Sequence, residues 1–251
     1  MINQETLRKL IEMKMSGMAD LYQLQNENKD FREMDFDDRF NLMVDTEYDR
    51  RKTNKLERLI KQATFDDSSA AIELIEYHAD RKLDKQLILE LASGTYLQKH
   101  HNIILMGASG NGKTWISNAF GIQACRQFYK VKYIRLPELL DELAVAKHEA
   151  DGSFRKLIQK YRSIDLLILD EWLLSELSQD QVLHVLEIID ARLKRTSTIF
   201  CSQFAPEGWH SKLGQAQVAD AILDRIVHDS YKILVDGDVS MRERHSLVAV
   251  R

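Results

Sequence analysis

The octapeptide Gly107-Ala108-Ser109-Gly110-Asn111-Gly112-Lys113-Thr114 constrains this chain more than any other stretch. It follows the pattern GxxxxGK[ST], whose glycines let a loop fold back and aim its amide N–H groups at an anion. The pattern is short and arises by chance, so its flanks decide its meaning. Asn102–Met106 (NIILM) precedes it and reads as a buried strand, while Lys113–Phe128 contains no proline and reads as a helix. Strand, glycine loop and helix together form the setting in which phosphate is held at a helix N-terminus. Lys113 is then placed to reach β- and γ-phosphates and Thr114 to ligate Mg2+, with Trp115 next in the same nucleotide-binding turn.

A nucleoside triphosphate site needs a second half. Leu166-Leu167-Ile168-Leu169-Asp170-Glu171 is an apolar strand ending in two acids. Asp170 suits a Mg2+ site, holding the ion through water, and Glu171 suits the general base that takes a proton from the attacking water. The next apolar run ends Cys201-Ser202-Gln203. If that strand lies beside the phosphate-loop strand, Gln203 or Ser202 reaches the γ-phosphate or the water; otherwise it is a polar residue opening a loop. Transition-state charge is best neutralised by arginine. Arg225, in Ala219–Ile226 beside the apolar stripe Ile222, Leu223 and Ile226, and Arg242, in Gly237–Arg242, are the two late candidates. Spacing alone also allows each to be a plain surface arginine.

Strands at Asn102–Met106, Val131–Leu136, Asp165–Leu169, Ser197–Cys201 and Tyr231–Val235 alternate with helices at Lys113–Phe128, Glu138–Lys147, Phe154–Tyr161, Gln179–Leu193 and Val218–His228. That alternation predicts an α/β fold with a central parallel sheet covered by helices. Residues 1–65 read instead as helices, including a long one from Asp37-Asp38 to about Ala63. Thr64–Ser69 reads as a linker, dividing the chain into a helical domain, 1–65, and a nucleotide-binding domain, 66–251.

The net charge of −4 gives no overall sign of a nucleic-acid binder, so any such contact must be local. Arg50, Arg51, Lys52 and Lys55 lie in a basic stretch that reads either as a solvated helix face or as a nucleic-acid or partner contact. The two cysteines, Cys125 and Cys201, lie in apolar runs without ligand spacing, which points to a reducing compartment. No apolar run is long enough to span a bilayer and no secretory leader is visible, so a cytoplasmic protein is expected.

Taken in order, GASGNGKT, LLILDE, STIFCSQF, ADAILDRIVH and SMR resemble the IstB-like ATPases, the helper ATP-binding proteins of a group of bacterial insertion sequences. These are kin of the DnaC helicase loader within the AAA+ class. The resemblance runs from about residue 65 to the end, and the long N-terminal helices are similar too. It implies an AAA+ P-loop NTPase fold with an N-terminal all-helical domain, binding ATP with Mg2+. In such assemblies ATP lies between subunits. Arg225 matches the finger that acts on a neighbour's ATP, Arg242 the sensor-2 arginine of its own subunit, and Gln203 the sensor-1 position. The family assembles on duplex DNA and delivers or activates a transposase. Its DNA-facing groups cluster around the split helix after the second strand, here Lys147, Arg155, Lys156 and Lys160. Two departures are visible: Ala108-Ser109 where many relatives have prolines, and Trp172-Leu173 where many have Leu-Gly. Neither replaces a catalytic atom.

Three functions compete. A transposition helper that oligomerises on duplex DNA as a ring or helix, with a cognate transposase as partner, accounts best for the Ser202-Gln203 pair and ADAILDR. A replicative helicase loader is the alternative. A stand-alone nucleotide kinase needs an acceptor-binding lid, and no segment reads as one.

Overall fold

The computed structural model describes residues 3–149, 151–214 and 216–246. Contacts divide the chain into two compact units, one ending at Arg58 and one beginning at Leu59.

The N-terminal unit is helical. Helix α1 (Gln4–Glu12) starts where the Asn3 side chain accepts the Glu5 and Thr6 amides. Helix α2 (Ser16–Glu27) and a 3-10 turn (Lys29–Arg32) follow. Helix α3 (Phe36–Ala63) has 28 residues, of which those after Arg58 belong to the second unit; it spans about 40 Å at 1.5 Å per residue. Asp37 and Asp38 in its first turn and Lys61 in its last complement the helix dipole. The start of α2 packs against α3 at Gly17, where a Cβ would stand 3.1 Å from Glu47 Cα. The buried Glu47 carboxylate accepts the Gly17 amide at 2.8 Å and Arg51 Nε at 2.6 Å. Those bonds offset the cost of burying its charge.

The second unit holds a five-stranded parallel sheet in the order β2-β3-β4-β1-β5. Along the chain come a 3-10 turn (Ile72–Leu74), α4 (Lys85–Ala92), α5 (Thr95–Gln98), β1 (Asn102–Met106), α6 (Lys113–Arg126), β2 (Val131–Arg135), α7 (Leu136–His148) and α8 (Ser153–Arg162). Then follow β3 (Leu166–Asp170), α9 (Gln179–Arg192), β4 (Ser197–Ser202), α10 (Trp209–Leu213), α11 (Ala216–Val227), β5 (Ser230–Leu234) and α12 (Met241–Arg244). Every residue of β3 and β4 is buried. Helices cover both faces, so the apolar residues of these strands run consecutively, Leu166–Leu169 and Ile199–Cys201, rather than alternating. On one face Ile104, Leu167, Leu169 and Phe200 pack with Leu140, Ile158, Val185 and Ile222 of the covering helices. Helix α6 covers the other, where a Cβ on Gly121 would stand 2.4 Å from Phe65 Cε1 and 2.9 Å from Ile168 Cδ1. Buried Arg192 donates to the Tyr161, Ile164 and Ser197 carbonyls and to Thr198 Oγ1, tying the end of α9 to the starts of β3 and β4. Cys125 and Cys201 are buried free thiols. No helix among the described residues is long and apolar enough to cross a membrane.

Three sequence expectations need correction. Strand β2 stops at Arg135 because α7 already begins at Leu136, with Pro137 in its first turn, where its missing N–H costs nothing. Thr64–Ser69 is packed rather than a free linker. Thr64 Oγ1 donates to the Tyr133 carbonyl at 3.2 Å, and Phe65 fills the space over Gly121. Along α11, Ala219, Ile222 and Ile226 are the buried stripe, and Leu223 is only half-buried.

Candidate nucleotide site

Strand β1 lies between β4 and β5, yet the chain leaves it for β2 at the far edge of the sheet. Diverging connections of this kind open a crevice at the carboxyl ends of the strands. The phosphate loop occupies it. Gly107, Gly110 and Gly112 have φ of 152°, 85° and 88°. A side chain at Gly107 would put Cβ 2.0 Å from the Val235 carbonyl oxygen, so only glycine fits there. Lys113 Nζ donates to the Gly107 and Ala108 carbonyls, at 2.8 Å each. Burial pulls the Lys113 pKa below the ordinary lysine value.

The second half of the site comes from β3. Thr114 Oγ1 donates to Asp170 Oδ2 at 2.7 Å, and so does the Tyr133 hydroxyl at 2.9 Å; Asp170 Oδ1 accepts the Glu171 amide at 2.8 Å. Glu171 has φ of 53°, a left-handed conformation that costs a non-glycine residue about 1–2 kcal/mol. Surrounding bonds hold it. The Trp172 amide donates to the Cys201 carbonyl at 2.9 Å, and Trp172 is buried against Phe200, with ring centroids 4.7 Å apart. Arg135 Nη1 stands 3.6 Å from the Glu171 carboxylate.

A cavity of about 820 Å3 brings together Ser109, Gly110, Gly112, Lys113, Thr114, Trp115, Asp170, Glu171, Gln203 and Arg242. That volume suits a nucleotide-sized ligand. Gly107 and Ala108 support it from behind through their carbonyls, and Asn111 accepts Arg81 Nη2 on its carbonyl at 2.8 Å. Of the Ser202–Gln203 alternatives, Gln203 lines the cavity. The Ser202 hydroxyl is consumed elsewhere: it donates to the Trp172 carbonyl and accepts Phe204 N and Trp209 Nε1, at 3.1 Å each.

Several lining residues gave no sequence signal. Asp66 and Asp67 come from the supposed linker, and Leu74, Ile75 and Arg81 from the segment before α4. Arg81 Nη1 also donates to the Glu76 carbonyl at 2.6 Å, so it clamps this wall to the phosphate loop. The polar Thr64–Ser69 composition was readable, but its packing was not.

Arg225 lies outside this cavity. It pairs with Asp190 and donates to the Ala221 carbonyl at 2.7 Å. Most of the candidate DNA-facing cations have partners. Arg50 pairs with Asp20 at 2.6 Å, Arg51 with Glu47 at 2.6 Å, Lys52 lies 4.3 Å from the Tyr48 ring, Lys147 4.7 Å from Phe154 and Lys160 5.2 Å from Tyr161. Arg155 and Lys156 are exposed. Helix α8 carries Arg155, Lys156, Lys160 and Arg162 and no acid.

The residues fit ATP with Mg2+. Buried Lys113 offers its charge beside the loop, and Thr114 and Asp170 set two oxygens side by side. Mg2+ generally takes one or two protein oxygens and completes its shell with phosphates and water.

A parallel sheet, a phosphate loop after β1 and acids at the end of buried β3, one strand away across β4, define a P-loop fold of the AAA+ type. Two solved structures share the fold. AMPPCP-bound DnaA from Aquifex aeolicus matches with TM-score 0.55 and 19% identity over 70% of this chain and 52% of its own. The DnaC helicase loader matches with TM-score 0.55 and 17% identity over 68% of this chain and 97% of its own. The family model described as IstB-like ATP binding protein matches residues 8–249, and the chain belongs to that family. It is similar to the insertion sequence IS1162 ATP-binding protein of Pseudomonas fluorescens, 40% identical over 81% of this chain and 87% of the relative. An insertion sequence ATP-binding protein of Sinorhizobium fredii is 34% identical over 97% of this chain and 98% of its own.

Proposed function

We propose that this chain is an ATPase that assembles on duplex DNA and recruits or activates a transposase at the target site. One observation carries the reading. The cavity gathers Lys113, Thr114, Asp170, Glu171, Gln203 and Arg242, while Arg225 stands outside it. A site with its binding and base residues in one chain and a catalytic arginine facing elsewhere is suited to completion by a second copy. The insertion-sequence setting of the relatives supports transposition as the process.

In this mechanism the loop amides and Lys113 bind the β- and γ-phosphates and orient them. Thr114 and Asp170 would hold Mg2+, which would supply neutralising charge to the phosphates. Gln203 positions the attacking water, and Glu171 takes its proton. Arg242 contacts the nucleotide of its own subunit, and a neighbour's Arg225 stabilises the charge that develops on the transferred phosphoryl group. The all-helical N-terminal domain serves as the DNA and partner module. The α8 cations, with Arg50, Arg51, Lys52, Lys55 and Lys147, contact DNA phosphates without reading sequence. The protein works in the cytoplasm.

Electron microscopy of the protein with ATP and either duplex or single-stranded DNA tests this. ATP-dependent multimers on duplex DNA are expected. Multimers on single strands alone would favour the helicase-loader reading and sink this one.

A further inference from the structure

We infer that Tyr133 is a positioning residue for nucleotide binding: its phenol holds the Asp170 carboxylate in the orientation that serves the metal-bound nucleotide. The inference rests on the reading of Thr114 and Asp170 as the Mg2+ pair.

Tyr133 is the middle residue of β2 and pairs with Ile168 of β3, two positions before Asp170. Its long side chain runs toward the carboxyl end of the sheet, and its hydroxyl donates to Asp170 Oδ2 at 2.9 Å in a buried setting. The same oxygen accepts Thr114 Oγ1 at 2.7 Å, and the other accepts the Glu171 amide at 2.8 Å. A carboxylate offers about four lone-pair sites. Three are engaged, by Thr114 of α6, by Tyr133 of β2 and by the amide of the next residue, Glu171, which fixes both the rotamer and the direction of the remaining one. The strand position is anchored in turn. Thr64 Oγ1 donates to the Tyr133 carbonyl at 3.2 Å, and Lys132 Nζ donates to Thr64 Oγ1 at 2.8 Å.

Phenylalanine at this position fills the same volume and removes only the donor. Asp170 then keeps its Thr114 and Glu171 contacts but loses the one from the sheet edge, and its carboxylate gains freedom to turn. Outer hydrogen bonds of this kind set metal affinity by roughly 10–100-fold.

The test measures binding of a fluorescent methylanthraniloyl-ATP to the full chain across a Mg2+ titration, starting in excess chelator. Wild type, Tyr133→Phe and Asp170→Asn are compared. In Tyr133→Phe the Mg2+ concentration for half-maximal binding is expected to rise roughly 10-fold or more. Binding in chelator, carried by Lys113 and the loop amides, is expected to stay unchanged. An unshifted Mg2+ midpoint overturns the inference. So does an equal loss of binding with and without Mg2+, which would mark Tyr133 as merely structural. If wild type and Asp170→Asn show the same dependence on Mg2+, the Thr114–Asp170 reading itself falls, and this inference falls with it.

Discussion

Replacing Arg225 by alanine tests the division of the site between subunits. The guanidinium pairs with Asp190, and the two side chains are 30% and 46% exposed. An ion pair this open to water contributes about 0–1 kcal/mol, a change of at most about 4 °C in melting temperature for a chain of this size. Arg225 is also absent from the cavity that holds Lys113, Thr114 and Asp170, so the isolated variant is expected to bind ATP within about twofold of wild type. Turnover is a different matter. An arginine that meets the transferred phosphoryl group accelerates the reaction about 10^3–10^5-fold, equivalent to about 4–7 kcal/mol of barrier. That exceeds the loss of the Asp190 pair several times over. Hydrolysis by the DNA-bound assembly is therefore expected to fall at least about a thousandfold, measured as phosphate release. Mixing supplies the decisive arm. A Glu171→Gln subunit lacks the base but keeps Arg225, and an Arg225→Ala subunit keeps the base. Together they should regain turnover at the junctions where the first subunit's Arg225 faces the second subunit's pocket. No regain on mixing, or a large loss of ATP affinity in the isolated variant, would show that Arg225 does not act across subunits.

Other expectations follow from the same geometry. Lys113→Ala removes the buried ammonium from the loop and is expected to abolish ATP binding by titration calorimetry; near-normal affinity would contradict its assignment. Glu171→Gln is expected to bind ATP and remain locked on DNA, and faster turnover in that variant would show that the base lies elsewhere. Arg192→Met leaves the Tyr161, Ile164 and Ser197 carbonyls and Thr198 Oγ1 without their shared donor. Hydrogen bonds from a charged group contribute about 1.5–3 kcal/mol each and are not additive, so a loss of about 3–6 kcal/mol is expected in urea unfolding. A loss under about 1 kcal/mol would show that these groups find other partners.

What was legible from the chain alone was local. Gly107–Thr114 announces its loop because positive φ and close backbone approach leave glycine as the fitting residue. LLILD and STIFCS announce buried strands because helices on both faces remove the need for alternation. Asp170 and Glu171 follow from where such a strand must end. The elements were therefore readable, with shifts of a residue or two at their ends, as at Leu136.

Relations between distant residues were decided by tertiary structure. Nothing in the polar run Thr64–Ser69 says that Phe65 packs over Gly121 or that Asp66 and Asp67 wall the nucleotide cavity. Ser202 and Gln203 are equivalent on paper; the Trp172–Trp209 packing takes the Ser202 hydroxyl and leaves Gln203 to the site. Tyr133 reads as one more apolar residue of β2 until strand pairing brings its hydroxyl to Asp170. The difference is physical. Backbone conformation and burial periodicity depend on near neighbours in sequence, whereas a side chain's partner depends on which strands lie adjacent and on which hydrogen bonds packing has already claimed.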